Sequence, residues 1–293
     1  MTVSELVQFL MSGGARGGSP LSALTSIERA LTDGVRATRV AEAFLAGYQS
    51  ALRALVPELP AGLAVCLAAT EEGGAHPRAI ATTLVPDGAQ HRLSGRKKWV
   101  TGGPLADLLL VVASEGQGAD GRNRLRVALV DAHAVGVTLH PMPDTAFTPE
   151  IPHAQVSFEN VAVSASAILP GDGYDRYLKP FRTVEDVHVN AAVLAYVLSV
   201  ARRFAWPRDV IERLLAILLA ARAVGVAEPS ARETHLALAG VLSLGRRFLD
   251  ETREHWALVE SEERRRWERD VGLLSVAERA RTARTESAWK EPF

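Results

Sequence analysis

The chain has 293 residues, 47% of them apolar and 23% charged, a composition typical of a folded protein. Its 33 basic and 34 acidic residues nearly cancel, so the overall charge predicts no binding to nucleic acid or to an anionic membrane. The single cysteine excludes an internal disulfide framework and a thiolate-rich metal site.

The N-terminal segment lacks the features of a secretory signal. Residues 1–11 lack a basic flank and include Glu5, which argues against a secretory signal. No apolar run reaches the roughly 20 residues that span a bilayer. We therefore expect a cytoplasmic protein without membrane insertion. The next segment, residues 13–20, is rich in glycine and predicts a loop.

Apolar residues recur at helical spacing between residues 21 and 56, with breaks at Gly34 and Pro57. This period predicts two amphipathic helices. Together with the segment before them, they form a short predicted N-terminal helical domain of residues 1–62.

Between residues 63 and 175 the pattern changes to short runs rich in Val, Leu and Thr, separated by turn residues. Asp87-Gly88 and Ser94-Gly95 supply turn chemistry, so residues 93–103 (LSGRKKWVTGG) predict a strand, a glycine turn and a second strand. Cys66 lies in an apolar run and is predicted to be buried. We expect a central antiparallel β-barrel or sandwich domain over residues 63–175. Its expected strands are 63–69, 79–85, 90–94, 98–101, 108–114, 125–130, 138–142 and 154–163.

The helical period returns in residues 176–293, which predict a C-terminal helical bundle. Its expected helices are 181–204, 211–226, 232–260 and 264–289. The fold class is therefore α+β, with N-terminal helices, a central β domain and a C-terminal bundle. The histidines have no metal-ligand spacing with Cys or Asp, and no metal site is predicted.

Several strings of the central domain follow one another in a specific order. They read TEEGGA at 70–75, DG at 87–88, LSGRKKWVT at 93–101, FENVAV at 158–163 and GDGY at 171–174. In this order they resemble the TEPxxGSD, DG, LNGxKxWIT, FedVrVP and GeGy strings of the acyl-CoA dehydrogenase family. The resemblance implies that family's fold, FAD as cofactor, and acyl-CoA or another acyl thioester as substrate. It also implies a homodimer or homotetramer formed through the C-terminal bundle.

The residue types at these positions suit a flavin. A Trp can pack against an isoalloxazine ring, a Thr hydroxyl can bond to its polar edge, and glycine lets the backbone approach a diphosphate. By the resemblance, Thr70, Trp99 and Thr101 contact the flavin, and Gly74 and Ala75 lie near the diphosphate or the thioester. The full set of implied flavin-binding residues is Leu67, Ala69, Thr70, Gly74, Ala75, Trp99, Val100 and Thr101.

A dehydrogenase of this kind needs a carboxylate base for an acidic α-proton. The string FRTVEDV at 181–187 resembles the LDYERL string in which some relatives carry that base. The resemblance implies Glu185 as the candidate base and Asp186 as the second choice. The alternative is that both acids only favour the dipole of the helix in its first turn.

The chain also departs from the family. Ala75 stands in place of the family's Ser, and no RxxFG, QxxGGxG or YEG string follows in the C-terminal part. Three functions therefore stay open. The first is a flavoprotein oxidoreductase acting on the CH–CH group of an acyl thioester. The second is a non-catalytic scaffold with a binding or structural role, and the third is a flavin-dependent monooxygenase.

Overall fold

The computed structural model describes residues 1–14 and 24–290, and the predicted Gly-rich loop lies largely outside these residues. The chain divides into two compact units. We call the first the helical unit; it comprises Met1–Leu55, Ala146–Thr148 and Phe181–Phe293. We call the second the β unit; it comprises Val56–Thr145 and Pro149–Pro180.

Helices α1 and α2 each begin with a capping box, in which a threonine accepts from a backbone N–H three residues on and a glutamate reaches back. The sequence does not predict helix α1. The predicted helix 232–260 ends earlier and is followed by a 3₁₀ turn, and the predicted helix 264–289 consists of two helices. The α-helices in the described ranges are α1 (Val3–Met11), α2 (Ser26–Arg36), α3 (Val40–Leu55), α4 (Lys179–Arg203), α5 (Arg208–Gly225), α6 (Arg232–Glu251), α7 (Ser261–Asp270) and α8 (Glu278–Lys290).

Helix α4 forms the centre of the helical unit. A Cβ built on Gly34 of α2 would lie 2.3 Å from the carbonyl oxygen of Ala192, and one on Gly47 of α3 would lie 2.7 Å from the Cα of Val189. Both helices therefore approach the backbone of α4 at positions that admit only glycine. Among the described helices, Tyr174–Arg203 alone has the length and hydropathy of a membrane span, but 83% of its most apolar window is buried in the fold.

The β unit is a curled, open sheet of seven strands rather than a closed barrel. The strand order is β1-β4-β2-β3-β7-β6, and β5 pairs with β4. Most pairs are antiparallel, as expected, whereas β1 and β2 run parallel to β4. The strands are β1 (Val65–Ala68), β2 (Thr83–Asp87), β3 (Gln90–Thr101), β4 (Leu108–Gln117), β5 (Asn123–Asp131), β6 (Val137–Pro141) and β7 (His153–Ser164).

The predicted turn at Ser94-Gly95 is wrong, because β3 continues through it as one strand of 12 residues. Gly95 is needed for a different reason: a Cβ at this position would lie 2.5 Å from the hydroxyl of Thr82. The predicted turn at Asp87-Gly88 is confirmed, because Asp87 and Gln90 pair with each other across the hairpin.

The pairing of β3 with β7 contains two bulges that offset each other. Between Leu93 and Gly95 the extra residue is on β7, and between Lys97 and Val100 it is on β3. Each bulge contains a non-glycine residue in the left-handed region, Asn160 at φ 54° and Trp99 at φ 54°.

The fold is that predicted from the sequence, with N-terminal helices, a central sheet unit and a C-terminal helical bundle. The boundaries 1–62, 63–175 and 176–293 stay predictions.

Candidate functional site

The bulge on β3 decides where Trp99 points. Side chains of a strand alternate between its two faces, so Trp99 would share the inward face of Leu93 and Lys97 if β3 were regular. The extra residue of the bulge reverses the alternation, and Val100 is buried instead, at 1% exposure. Trp99 consequently faces outward and is 48% exposed. Left-handed backbone at a large non-glycine residue is strained, and such strain is concentrated at functional sites.

Two side chains hold Trp99 in this position. Its backbone N–H donates to Sδ of Met142 at 3.3 Å, and its ring meets the ring of His153 edge-on, with centroids 5.9 Å apart. Burial lowers the pKa of His153 below its usual value, which favours the neutral imidazole. The surroundings of Trp99 are thus aromatic and uncharged on this side.

Thr70 lies beside the same bulge. The backbone N–H of Lys98 donates to the carbonyl oxygen of Thr70 at 2.8 Å, which joins the end of β1 to β3. Thr70 and Thr101 are both half-buried. Within the described chain, no protein group forms a hydrogen bond with either hydroxyl, so both are available to a ligand.

Burial limits what Leu67, Ala69 and Val100 can contribute to a flavin site. Ala69 is 6% exposed and Val100 is 1% exposed, so only their backbone atoms can reach a ligand. Leu67 is half-buried and pairs with Leu110 of β4.

Gly74 and Ala75 belong to a tight turn that follows Thr70. The N–H of Glu71 donates to the carbonyl oxygen of Gly74 at 3.1 Å, and the reverse bond measures 3.0 Å. Gly74 has φ 94°, and a Cβ built on it would meet no atom within 4 Å. The backbone at this turn is therefore open to close approach by another group.

Sequence reasoning missed one member of this site. Glu71 reads as an ordinary loop carboxylate, yet only 8% of its side chain is exposed, and it pairs with the fully buried Lys97 at 2.6 Å. The separation of the two residues along the chain follows no helix or strand period, so no pattern indicated the pair.

Glu185, the candidate base, lies in α4 of the helical unit, well beyond the first turn of that helix. Burial raises the pKa of Glu185 to about 7, with a further rise from the neighbouring Asp186 and a smaller opposing effect of Arg281. Its side chain is half-buried, and no described residue donates a hydrogen bond to its carboxylate. A carboxyl with these properties can take or release a proton near neutral pH.

Asp186 has a different environment. Arg281 donates to its Oδ1 at 2.9 and 2.8 Å, and Arg284 donates to its Oδ2 at 2.7 Å. Both carboxylate oxygens are therefore occupied by arginines of α8. This arrangement suits a structural anion better than a proton acceptor.

Cys66 is buried as predicted, and burial raises the pKa of its thiol to about 12. In the described ranges, no group of three or more His, Cys, Asp or Glu side chains could hold a metal ion. The predicted flavin-binding residues thus lie in the β unit, and the two candidate bases lie in the helical unit.

Helices, a curled sheet and a helical bundle follow one another in the order that the resemblance to acyl-CoA dehydrogenases implies. Residues 66–161 match the family model described as the acyl-CoA dehydrogenase middle domain. The chain is an acyl-CoA dehydrogenase-like protein, as the ordered strings of the central domain predicted.

One curated relative is a 3-(aryl)acrylate reductase of Clostridium sporogenes, 28% identical over 148 residues. The matched segment is 50% of this chain and only 39% of that relative, so the chain covers well under two thirds of it.

Solved structures with the same fold cover the whole chain. A glutaryl-CoA dehydrogenase of Mycobacterium smegmatis in complex with FADH2 has a TM-score of 0.65 and 15% identity, and the match covers 98% of this chain and 85% of the chain of that enzyme. FMN-bound TdsC from Paenibacillus sp. A11-2 has a TM-score of 0.71 and 15% identity, covering 98% of this chain and 88% of its own.

Proposed function

We propose that the protein is a flavin-dependent oxidoreductase acting on the CH–CH group of an acyl thioester, with FAD as its cofactor. The observation that carries the proposal is the outward-facing, strained Trp99, which lies beside two threonine hydroxyls without protein partners. Strained residues of this kind cluster at active sites and ligand clamps.

The described residues fit a flavin. The exposed face of Trp99 offers an aromatic surface for a flat ring, and the hydroxyls of Thr70 and Thr101 can donate to or accept from its polar edge. The N–H of Gly74 already donates to Glu71, so the open turn leaves the backbone N–H of Ala75 to a diphosphate. Leu67, Ala69 and Val100 contribute backbone and packing. A bound flavin would supply the acceptor for the hydride that leaves the β-carbon of the substrate.

The proposal assigns Glu185 as the base that takes the α-proton. Its raised pKa, about 7, places the change between carboxyl and carboxylate within the working pH range. Asp186 is assigned a positioning role, since its two oxygens already accept from Arg281 and Arg284. Arg281 also limits how far the pKa of Glu185 rises.

Flavin uptake is the primary test. The purified protein is titrated with FAD and with FMN, and binding is followed by flavin fluorescence and absorbance. We expect saturable binding of FAD that Trp99→Gly and Thr101→Val both weaken. Absence of uptake of either flavin would exclude the enzymatic proposal and leave the non-catalytic scaffold.

A second test addresses the base. Addition of acyl-CoAs of increasing chain length under anaerobic conditions should bleach the flavin absorbance of the wild-type protein. Glu185→Gln should abolish bleaching without loss of flavin, and Glu212→Gln, an exposed glutamate of α5, should leave it unchanged. Bleaching retained in Glu185→Gln would exclude Glu185 as the base. Consumption of oxygen with an added reductant, without bleaching by any acyl-CoA, would favour a monooxygenase.

The similarity to a 3-(aryl)acrylate reductase favours a second direction of the same chemistry. In that direction the substrate would be an unsaturated aryl acid or its thioester, and a bound reduced flavin would supply the hydride. Mixing the photoreduced protein with such compounds, in the absence of oxygen, measures this reaction directly.

We further propose a homodimer or homotetramer in the cytoplasm, as the family resemblance implies. Light scattering coupled to gel filtration measures the oligomeric state.

A further inference from the structure

Lys97 is an unusual residue for the core of a sheet. Its side chain is 0% exposed, and it lies on the inward face of β3 together with Leu93. Burial lowers the pKa of Lys97 to about 8, although the Glu71 carboxylate opposes this effect. Moving two charges out of water is costly, and a buried ion pair contributes little net stability compared with apolar residues of similar volume. Stability alone therefore does not explain the pair.

The pair connects three separate segments of the β unit. Nζ of Lys97 donates to Oε1 of Glu71 at 2.6 Å and to the carbonyl oxygen of Ala69 at 3.4 Å. The Glu71 carboxylate also accepts from the N–H groups of Ala81 at 2.8 Å and Thr82 at 3.0 Å. The end of β1, the middle of β3 and the approach to β2 are thus tied to one carboxylate.

The residues tied in this way flank the proposed flavin edge. Thr70 lies between Ala69 and Glu71, and its carbonyl oxygen accepts from the N–H of Lys98. Lys98 and Trp99 form the bulge that turns the tryptophan outward. Directional bonds to a buried carboxylate fix such an arrangement more sharply than apolar packing, which tolerates shifts.

We propose that the Lys97–Glu71 ion pair is a positioning device that holds the Thr70 segment against the Lys98–Trp99 bulge and so sets the geometry of the flavin edge. The identity of the ligand as a flavin rests on the proposed function, whereas the positioning of the two segments is independent of it.

The test compares Glu71→Gln, Lys97→Met and the double variant in the apo-protein. Each single change leaves one buried partner without its counter-ion, so we expect both to lower the melting temperature clearly. The double variant removes both charges, and its melting temperature should return to within about 4 °C of wild type. Glu72→Gln is the matched control, because Glu72 pairs with Lys98 next to the buried pair but is 84% exposed.

The decisive readouts are residue-resolved hydrogen exchange of the Lys98 amide and the Kd for FAD. In the double variant we expect the Lys98 amide to exchange at least tenfold faster, and FAD to bind about tenfold more weakly, despite restored stability. Unchanged exchange of Lys98 would overturn the proposal, and so would FAD affinity that recovers together with the melting temperature. A wild-type protein that binds no flavin would contradict the proposed function. The exchange rate of the Lys98 amide in the double variant would still test whether the ion pair positions the two segments.

Discussion

Arg281 donates two hydrogen bonds to a single oxygen of Asp186, from Nε at 2.9 Å and from Nη2 at 2.8 Å. The side chains of Arg281 and Asp186 are 12% and 9% exposed. The pair joins α8 to α4, and Glu185 lies next to it in α4. The same contact therefore stabilises the bundle and affects the proton affinity of the proposed base.

Asp186→Asn should destabilise the protein by about 3 kcal/mol, because it leaves Arg281 and Arg284 buried without a counter-ion. The measurement is the free energy of unfolding in urea at neutral pH. Glu251→Gln is the control: Arg213 and Glu251 form a pair of similar length, but their side chains are 48% and 56% exposed. This control should cost less than about 1 kcal/mol. Equal losses in the two variants would contradict the structural importance of Asp186.

Glu185 should make stability fall with rising pH, the reverse of the usual effect of a paired carboxylate. Its pKa is about 7 in the folded protein against 4.5 for an ordinary glutamate. The unfolded chain therefore loses the proton first. The contribution of this group is favourable below pH 4.5 and is lost as pH rises towards 7, by up to about 3 kcal/mol. Urea unfolding from pH 4 to 8 should show this loss in the wild type and not in Glu185→Gln. Parallel curves for the two proteins would show that the pKa of Glu185 is not raised.

Trp99→Gly should cost little stability but much flavin affinity. Glycine adopts φ 54° without strain, and the tryptophan ring is already 48% exposed, so the net loss should be no more than about 1 kcal/mol. The Kd for FAD should rise at least tenfold, since a stacking partner is lost. Asn160→Gly changes the other left-handed bulge residue of the same strand pair and should leave the Kd unchanged. A similar loss of affinity in both variants would indicate an indirect effect through the sheet.

Gly34→Ala should destabilise the helical unit by about 3 kcal/mol, because its Cβ would lie 2.3 Å from the backbone oxygen of Ala192. Gly240→Ala is the matched change in α6, where a Cβ meets no atom within 4 Å. It should stabilise the protein by about 0.5–1 kcal/mol through the higher helix propensity of alanine. Thermal unfolding of both variants checks the prediction, and a stable Gly34→Ala protein would contradict the close approach of α2 to α4.

The sequence was sufficient for the order of elements because each block has its own period. Apolar spacing changes from helical to strand-like and back to helical, and helices, strands and helices follow in that order in the structure. The local breaks were harder to predict. Ser94-Gly95 has the residue types of a turn. Gly95 is required for another reason, because Thr82 of a different segment leaves no room for a Cβ.

The sequence nominates residues for the candidate site, but it does not give their geometry. The WVT string indicated Trp99 and Thr101, but regular alternation would have placed Trp99 in the core. Only the pairing with β7 shows the extra residue that turns it outward. The ion pair of Lys97 with Glu71 and the arginines on Asp186 depend in the same way on contacts between distant segments, which no single-sequence period encodes.

The two bulges of the β3–β7 pair have one more consequence. Because the extra residue lies on β7 in one bulge and on β3 in the other, Gln90 pairs with Ser164 and Thr101 with His153 in a single common register. Deletion of Trp99 alone would shift this register, whereas deletion of Trp99 and Asn160 together would leave both ends of the ladder in place. Two compensating deletions would thus remove the proposed flavin edge and keep the sheet in register, which separates the strand pairing of the scaffold from its proposed ligand contacts.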